Sequence, residues 1–288
     1  NKLLGGSFRL GISSKGLINT LAAHFQIEPS MVTHSIMGEW NPHDYAFDKL
    51  VSGEYSDTNR SKPYPFCLAY PIEKEPEELG PIEEWQCEYK WDGIRGQLIK
   101  RDDEIFIWSR GEELVTAQFP EITDALKQWK ENFVLDGEIL AAKEDQILNF
   151  NELQKRINRK VISRTLREEV PVVVYLYDLL ELNGKDLRSE PLQDRRKLLE
   201  QLHHHNDGPT IQLSHVIHSA HWTDLRVLQS ASREMNSEGI MLKRKDSIYY
   251  VGRKKGGWWK WKVNPMTIDA VLIYAQKGSG RRSAHYTD

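Results

Sequence analysis

From residue 65 onward, short segments with strand-like hydrophobic spacing alternate with helical patterns. Predicted strands, bounded by Gly, Asp or Asn, cover 88–100, 104–109, 133–141, 172–178 and 240–245, and a cleanly alternating pattern predicts another at 258–263. Predicted helices cover 121–132, 192–203 and 224–236, the last with Thr223 as its N-cap. The chain therefore combines strands and helices in one large unit.

The two ends of the chain differ from this central part. Residues 17–25 have helical spacing, whereas 38–42 and 52–60 are rich in turn formers and polar residues. A break at Asn264-Pro265 precedes a new strand pattern at 269–275. The expected units are listed by range: 1–60, a helical piece with a linker; 61–263, the main domain; and 264–288, the start of another domain.

Composition is that of an ordinary globular protein, with 39% hydrophobic and 28% charged residues among 288. The longest apolar run, 170–177, is shorter than the roughly 18 residues that cross a bilayer, so we expect no membrane partner. Two cysteines, Cys67 and Cys87, cannot form a disulfide framework or a four-ligand zinc site, which favours a reducing cytoplasmic or nucleoid setting. No secretory signal is visible, and the first residue, Asn1, indicates a fragment.

Charge is segregated along the chain. The formal net charge is −3, but 73–88 holds seven Glu and one Lys, whereas 243–262 holds eight Lys or Arg and one Asp. The net value alone argues against a uniformly basic nucleic-acid binder. We therefore expect one acidic and one basic face.

The octapeptide Glu-Tyr-Lys-Trp-Asp-Gly-Ile-Arg at 88–95 offers a candidate nucleophile. A strand places Glu88 and Lys90 on one face, and the Asp92-Gly93 turn leads Arg95 into the next strand. Taken alone, the octapeptide is more often a surface hairpin with incidental charges. The acid and the arginine beside the lysine favour a catalytic role. A nucleophilic lysine must be neutral, and its neighbours must supply the roughly 4.6 kcal/mol that lowers its pKa from about 10.4 to about 7.

A second candidate is the strand pattern near the end of the basic segment. Lys260 and Lys262 share one face, and Trp259 and Trp261 share the other. Two ammonium groups on one face repel, so either solvent separates them or an anion lies between them. Phosphate binding is favoured over an edge strand that lysines protect from aggregation.

Carboxylates and one tyrosine complete the candidates. Asp136 and Glu138 share a strand face, and Glu238 precedes the strand 240–245, positions that suit Mg²⁺ or a ribose hydroxyl as well as a solvated turn. Tyr177 closes the apolar run. Judged alone, it is more often a core aromatic than a plate on which a base stacks.

Six short motifs follow one another in a specific order. They are Lys-x-Asp-Gly-x-Arg (90–95), Ser-Arg-Gly (109–111), Asp-Gly-Glu (136–138), Tyr-Asp-Leu (within 175–179), Glu-Gly-x-Met-x-Lys (238–243) and Lys-x-Lys (within 259–262). In this order the chain resembles the ATP-dependent DNA ligases over about 65–262. The resemblance implies an α+β nucleotidyltransferase fold, ATP-grasp-like, with antiparallel sheets and flanking helices.

The resemblance also implies roles for individual side chains. Lys90 would become adenylylated by ATP, and Asp92 would act later, near the nick. Glu88 would accept a hydrogen bond from the adenine amino group, and Tyr177 and Met241 would stack on the two faces of the base. The remaining implied sets are the ribose-binding Arg95 and Glu138, the phosphate-binding Arg110, Lys260 and Lys262, and the Mg²⁺-binding Glu138 and Glu238.

The implied reaction is the sealing of nicks in duplex DNA through a lysyl-AMP and a DNA-adenylate, by a monomer that grips DNA through its phosphates. By resemblance, 1–60 includes the end of a helical DNA-binding domain and 264–288 begins an OB-fold. The chain ends before an Arg-x-Asp-Lys motif, so we expect it to hold AMP already or to accept it slowly, and to seal nicks poorly alone.

Other functions share parts of this pattern. An RNA ligase or an mRNA-capping guanylyltransferase has the same lysine and most of the motifs, although the N-terminal stretch argues against both. A non-catalytic nucleotide- or DNA-binding module would keep the basic strand and lose the lysine chemistry. No N-terminal module that would grip nicotinamide is recognisable, which argues against an NAD-dependent ligase.

Overall fold

The structure is a computed structural model. It describes residues 14–27, 29, 32, 47, 60–111, 113–144, 146–157, 159, 161–264, 276–277 and 286–287. The predicted strand at 269–275 and the turn-rich segments 38–42 and 52–59 lie outside the described residues.

Bounds are defined for six α-helices and sixteen strands in the described part of the chain. The helices are α1 (Ser14–Phe25), α2 (Pro120–Leu126), α3 (Phe150–Ile157), α4 (Arg164–Glu169), α5 (Leu192–His204) and α6 (Trp222–Ala231). The strands are β1 (Cys67–Leu68), β2 (Tyr70–Pro71), β3 (Trp85–Trp91), β4 (Ile94–Arg101), β5 (Glu104–Ser109), β6 (Phe133–Lys143), β7 (Gln146–Ile147), β8 (Val172–Leu182), β9 (Lys185–Asp186), β10 (Ile211–Leu213), β11 (Val216–Ile217), β12 (Ser237–Arg244), β13 (Gly252–Arg253), β14 (Trp258–Lys262), β15 (Gln276–Lys277) and β16 (Tyr286–Thr287).

Two large sheets and a small sheet of β1 and β13 lie within residues 61–263. A seven-stranded sheet follows the path β10-β8-β6-β4-β5, with β7 added to β6 and β9 to β8, and a five-stranded sheet has the order β11-β3-β12-β14-β2. The long strands pair antiparallel, whereas the short strands β10, β2 and β1 pair parallel with β8, β14 and β13. The predicted α+β fold with antiparallel sheets is confirmed, and the predicted start of an OB-fold lies almost wholly outside the described residues.

Each sheet has its own core, because side chains alternate between the two faces of a strand. The larger core lies between the seven-stranded sheet and helices α2 to α5, with Ile122 and Leu199 from the helices fully buried. A second core packs α6 against the five-stranded sheet and includes Trp259 and Trp261. A third layer, which includes Trp258 beside partly buried Met241, joins the sheets.

The pattern located these elements better than it located their ends. Helix α2 ends at Leu126 rather than at 132, and α6 begins at Trp222, so His221 rather than the predicted Thr223 occupies the N-cap position. The predicted strand 88–100 is two strands in different sheets. The alternation at 258–263 is confirmed, since Trp259 and Trp261 are buried while Lys260 and Lys262 are not.

A buried ion pair fixes helix α5 to the seven-stranded sheet. Arg195 donates to both carboxylate oxygens of Asp178 at 2.7 and 2.8 Å, and both side chains are 0% exposed. Arg195 also donates to the carbonyl oxygens of Glu190 and Ser247. Through these bonds Arg195 connects helix α5 both to strand β8 and to the loop that follows β12.

None of the described helices is both long and apolar enough to span a lipid bilayer.

We expect Arg195→Met to lower the free energy of unfolding by about 3–5 kcal/mol, because it leaves the Asp178 carboxylate buried without its cation. Urea unfolding followed by circular dichroism measures this change. Lys197→Met is the matched control, since Lys197 lies on the same helix and pairs with Asp194 at 3.3 Å on the surface. The control is expected to change stability by less than about 1 kcal/mol. Equal losses of unfolding free energy in the two variants would show that the buried pair contributes no more to stability than the surface pair.

Candidate active site

A cleft of about 540 Å³ lies where the two sheets face each other. The residues to which the family resemblance assigns roles line it together: Glu88, Lys90, Asp92, Arg95, Arg110, Glu138, Tyr177, Glu238, Met241, Lys260 and Lys262. Asp136, the other carboxylate that the sequence singled out, is fully buried and does not line the cleft. The lining residues come from six strands, β3, β4, β6, β8, β12 and β14, and from the turns beside them, between positions 88 and 262 of the sequence. The fold therefore brings the predicted site residues to one place.

The turn after Lys90 crosses from one sheet to the other. Strand β3 belongs to the five-stranded sheet and β4 to the seven-stranded sheet, so the turn at Asp92 and Gly93 does not close a hairpin. A Cβ on Gly93 would lie 2.4 Å from the carbonyl oxygen of Ile139, so only glycine lets the chain pass this close to β6. Lys90 and Arg95 consequently face the cleft from different sheets.

A bulge in β12 brings Glu238 against Lys90. In the pairing of β12 with β3, Ser237 lies opposite Trp91 and Ile240 opposite Tyr89, so two residues face the single Lys90. The second of these, Gly239, has a φ of 138°, and a Cβ there would lie 2.2 Å from the carbonyl oxygen of Trp261. The bulge depends on this glycine.

Glu238 is shared by two lysines. Its Oε2 accepts hydrogen bonds from Lys90 Nζ and from Lys262 Nζ, the latter at 2.8 Å. Burial acts to raise the pKa of Glu238, but the hydrogen bonds from Lys262 and Lys90 hold it below its ordinary value. The carboxylate therefore stays charged at neutral pH and fixes the position of the Lys90 amine.

Asp136 is the centre of a buried network. Its two oxygens accept hydrogen bonds from Arg95 Nε at 3.0 Å and Nη2 at 2.6 Å, from the Tyr177 hydroxyl at 2.9 Å and from the Tyr249 hydroxyl at 2.6 Å. Arg95 also donates to the carbonyl oxygen of Cys67 and to the Tyr249 hydroxyl. Since a guanidinium has five N–H groups, the protein already uses four of those of Arg95.

Tyr177 occupies a bulge in β8. Asp136 pairs with Asp178 and Gly137 with Leu176, so Tyr177 has no direct partner on β6. Its ring lines the cleft, while its hydroxyl is held by Asp136. Burial raises the pKa of Tyr177 well above its ordinary value, so the hydroxyl remains a hydrogen-bond donor. A core role and a cleft-lining role are thus combined in one residue.

Glu88 is buried, with 1% of its surface exposed. Its Oε1 accepts hydrogen bonds from Gln86 at 2.6 Å and from Lys243 Nζ at 3.0 Å. Met241, which lies opposite Glu88 in the pairing of β12 with β3, is partly exposed in the cleft. The two residues are neighbours across the sheet.

Several cationic side chains also line the cleft. They are Arg110, which is exposed, Lys260, which is half-buried, and Arg253, which is exposed and lies on β13. Burial and the charges of Lys262, Arg253, Lys90 and Arg110 lower the pKa of Lys260. Among the described residues Lys260 has no carboxylate partner, so an anion bound here would relieve the mutual repulsion.

Comparison with known proteins identifies the family. A family model described as ATP dependent DNA ligase domain matches residues 68–262. A probable DNA ligase of Koribacter versatilis is 31% identical over the whole of this chain and 54% of its own length. The chain belongs to the ATP-dependent DNA ligase domain family. A DNA ligase of Saccharolobus islandicus is 34% identical over 68% of this chain and 34% of its own length, so the chain spans about half or less of these relatives.

Solved structures agree with the ligase family. A mycobacterial DNA ligase D complexed with ATP and MES has a TM-score of 0.56 and 27% identity, over 69% of this chain and 60% of that one. The Chlorella virus DNA ligase-adenylate has a TM-score of 0.51 and 18% identity, over 69% of this chain and 68% of that one, and supports the fold alone.

Several residues of this ligase domain were missed by the sequence reasoning. Lys243 lies within the Glu-Gly-x-Met-x-Lys motif and shares a strand face with Met241, a signal that could have found it. Asp136 was singled out for its charge and not as an anchor. Tyr249 and Arg253 lie in or beside a loop whose spacing carries no signal, and no role was predicted for Trp258 in the strand 258–263.

Two carboxylates of the ligase cleft have raised pKa values. Burial raises the pKa of Glu138 from 4.5 to about 7, although Lys90, Arg95 and Arg110 act to lower it. Burial and the charge of Glu238 raise the pKa of Asp92. Among the described residues no cluster of three or more His, Cys, Asp or Glu could hold a metal ion by itself.

We expect Glu138→Gln to remove part of the pH dependence of stability. An acid whose pKa is higher in the folded state favours folding below its unfolded pKa, and this contribution is lost as pH rises from about 4.5 to about 7. The free energy of unfolding of wild type, relative to the variant, should therefore fall across that window. Urea unfolding at several pH values measures it, with the exposed Glu83→Gln as control. Parallel pH profiles for wild type and Glu138→Gln would contradict the expectation.

Proposed function

We propose that this chain contains the catalytic part of a monomeric ATP-dependent DNA ligase that acts on nicked duplex DNA in a reducing cytoplasmic setting. The observation that carries the proposal is the convergence of six ordered motifs on one cleft around Lys90. Residues 61–263 would form the adenylation domain. Two buried free thiols, Cys67 and Cys87, are consistent with the proposed setting.

The first proposed step is attack of neutral Lys90 Nζ on the α-phosphorus of ATP. A phosphorus–nitrogen bond forms, the bond to the bridging oxygen breaks, and pyrophosphate leaves with the electron pair. Lys90 must release Glu238 and lose a proton before it attacks, and Lys262 keeps the Glu238 carboxylate paired meanwhile. Arg110, Lys260 and Lys262 would stabilise the developing negative charge.

The second proposed step transfers AMP to the DNA, and the third seals the nick. The 5′-phosphate of the nick attacks the phosphorus of lysyl-AMP and frees the lysine, and the 3′-hydroxyl then attacks the DNA-adenylate, joins the strands and releases AMP. Asp92, which is exposed and lines the cleft, would act in these later steps. The exposed basic residues 253–255 beside the cleft suit contacts with DNA phosphates, which carry no sequence information.

Mg²⁺ is the metal that the family resemblance implies, and the donor groups suit it. Glu138 is a half-buried carboxylate that forms no direct ion pair within the described residues, and Glu238 lies in the same cleft. Mg²⁺ usually takes one or two carboxylates together with substrate phosphates. Glu138 and Glu238 would hold the ion, which would neutralise phosphate charge when bound.

Nucleotide handling would be divided among the other residues. Glu88 would accept a hydrogen bond from the adenine amino group, with Tyr177 and Met241 on the two faces of the base. Glu138 and the remaining N–H of Arg95 would meet the ribose. The support for these roles is that all of these side chains line the cleft.

Lys90→Arg is expected to abolish covalent labelling, because a guanidinium stays protonated and cannot attack phosphorus. The full chain is incubated with α-labelled ATP, and mass spectrometry looks for a hydroxylamine-labile addition of AMP on the Lys90 peptide. An equal adduct on the variant would overturn the assignment of Lys90. Labelling by GTP instead of ATP would indicate a capping-type enzyme, and joining of nicked RNA alone would indicate an RNA ligase.

Lys260→Ala is expected to slow adenylylation by more than about tenfold, since charge stabilisation of a transferring phosphoryl group is commonly worth 10²–10³ in rate. Stability should be nearly unchanged, because Lys260 has no ion pair in the described part of the chain. Single-turnover labelling and thermal melting measure the two effects. Lys255→Ala is the control, since exposed Lys255 pairs with Glu73 outside the cleft. A loss of stability without a loss of rate would assign Lys260 a structural role.

A further inference from the structure

Lys243 is a buried cation with three fixed neighbours. Its side chain is 2% exposed, and its Nζ donates to Glu88 Oε1 at 3.0 Å. The same Nζ lies 4.1 Å from the ring centroid of Tyr177 and 4.8 Å from that of Trp258. One carboxylate and two aromatic rings therefore compensate the charge in a place where an unpaired ammonium would be strongly unfavourable.

The contacts of Lys243 lead to one side of the cleft only. It meets Glu88 and Tyr177, whereas the phosphate-side lysines Lys260 and Lys262 lie on β14, and Lys262 contacts Glu238. Among the described residues, Glu88 is the one carboxylate with which Lys243 forms an ion pair. Its influence is therefore expected on the end of the cleft where a base would lie.

Glu88 is held at one oxygen by two donors. Gln86 and Lys243 both donate to Oε1, while Oε2 has no donor in the described part of the chain. A carboxylate fixed in this way offers acceptor capacity and no N–H or O–H. Adenine presents an amino group as a donor, whereas guanine presents a carbonyl oxygen at the same ring position, and two acceptors facing each other leave both unpaired.

We propose that Lys243 is a positioning residue for nucleotide specificity: it holds the Glu88 carboxylate in place as an acceptor, so that ATP is selected over GTP. This inference rests on the proposed function. Lys243 also lines the cleft, and its proposed effect is exerted through Glu88. The alternative is that Lys243 only fills space in the layer between the sheets.

The test compares ATP with GTP in covalent labelling of the full chain by wild type, Lys243→Met, Glu88→Gln and the double variant. Lys243→Met should lower the ratio of kcat/KM for ATP to that for GTP by at least tenfold. The loss should appear mainly as a raised KM for ATP, with kcat changed by less than about threefold, because Lys243 lies away from the reacting phosphate. In the Glu88→Gln background the same substitution should change selectivity by less than about twofold, since it acts through Glu88.

Lys100→Met is the matched control. Lys100 is also buried, at 3% exposed, and it donates to the carbonyl oxygen of Trp129 outside the cleft. This variant should lose stability and keep its nucleotide selectivity. Lys243→Gln, which keeps an N–H donor without the charge, is the second variant if Lys243→Met does not fold, and the same loss of selectivity is expected of it.

The proposal is overturned if the folded Lys243 variant keeps wild-type selectivity, if Lys100→Met loses selectivity to the same extent, or if the effects of Lys243→Met and Glu88→Gln simply add. Failure of the proposed function is a separate outcome. In that case wild type itself forms no AMP adduct with ATP, whereas a wild-type adduct with unchanged selectivity in the variants overturns only the role of Lys243.

Discussion

The cleft depends on one carboxylate with no exposure to solvent. Asp136 receives hydrogen bonds from Arg95, Tyr177 and Tyr249, which come from two other strands and from the loop after β12. Such a group is tolerated in a protein interior only when its partners are all present. The strands β4, β6 and β8 and the loop are therefore fixed relative to one another at the point where the cleft begins.

Local irregularities in otherwise regular strands aim the side chains into the cleft. In a flat ladder Lys90 would face a single residue of β12, and Tyr177 would pair with β6. The extra residue in each bulge rotates its neighbours, so Glu238 meets Lys90 and the Tyr177 hydroxyl meets Asp136. Gly239 makes the first of these bulges compatible with the close approach of β14. Regular strand pairing forms the sheets, and the two bulges set the positions of Glu238 and Tyr177 in the cleft.

The sequence predicted the long strands and singled out residues that line one cleft, because both results depend on alternation and on short contiguous motifs. Lys260 and Lys262 are an example, since a period of two places them on one face whatever the fold. The sequence did not show that the Asp92-Gly93 turn crosses between sheets, because a turn signal gives a change of direction and not the partner of the next strand. Nor did it assign Lys243 or Tyr249, whose contacts join residues more than 100 positions apart.

The anchored hydroxyl of Tyr177 has a consequence for the thermodynamics of the cleft. A tyrosine fixed at its far end has given up its rotamer freedom during folding, with Lys243 already 4.1 Å from its ring centroid. A planar ligand that enters the cleft meets a surface whose orientation no longer varies. The entropy lost on association is then mostly that of the ligand itself, which favours affinity without any additional contact.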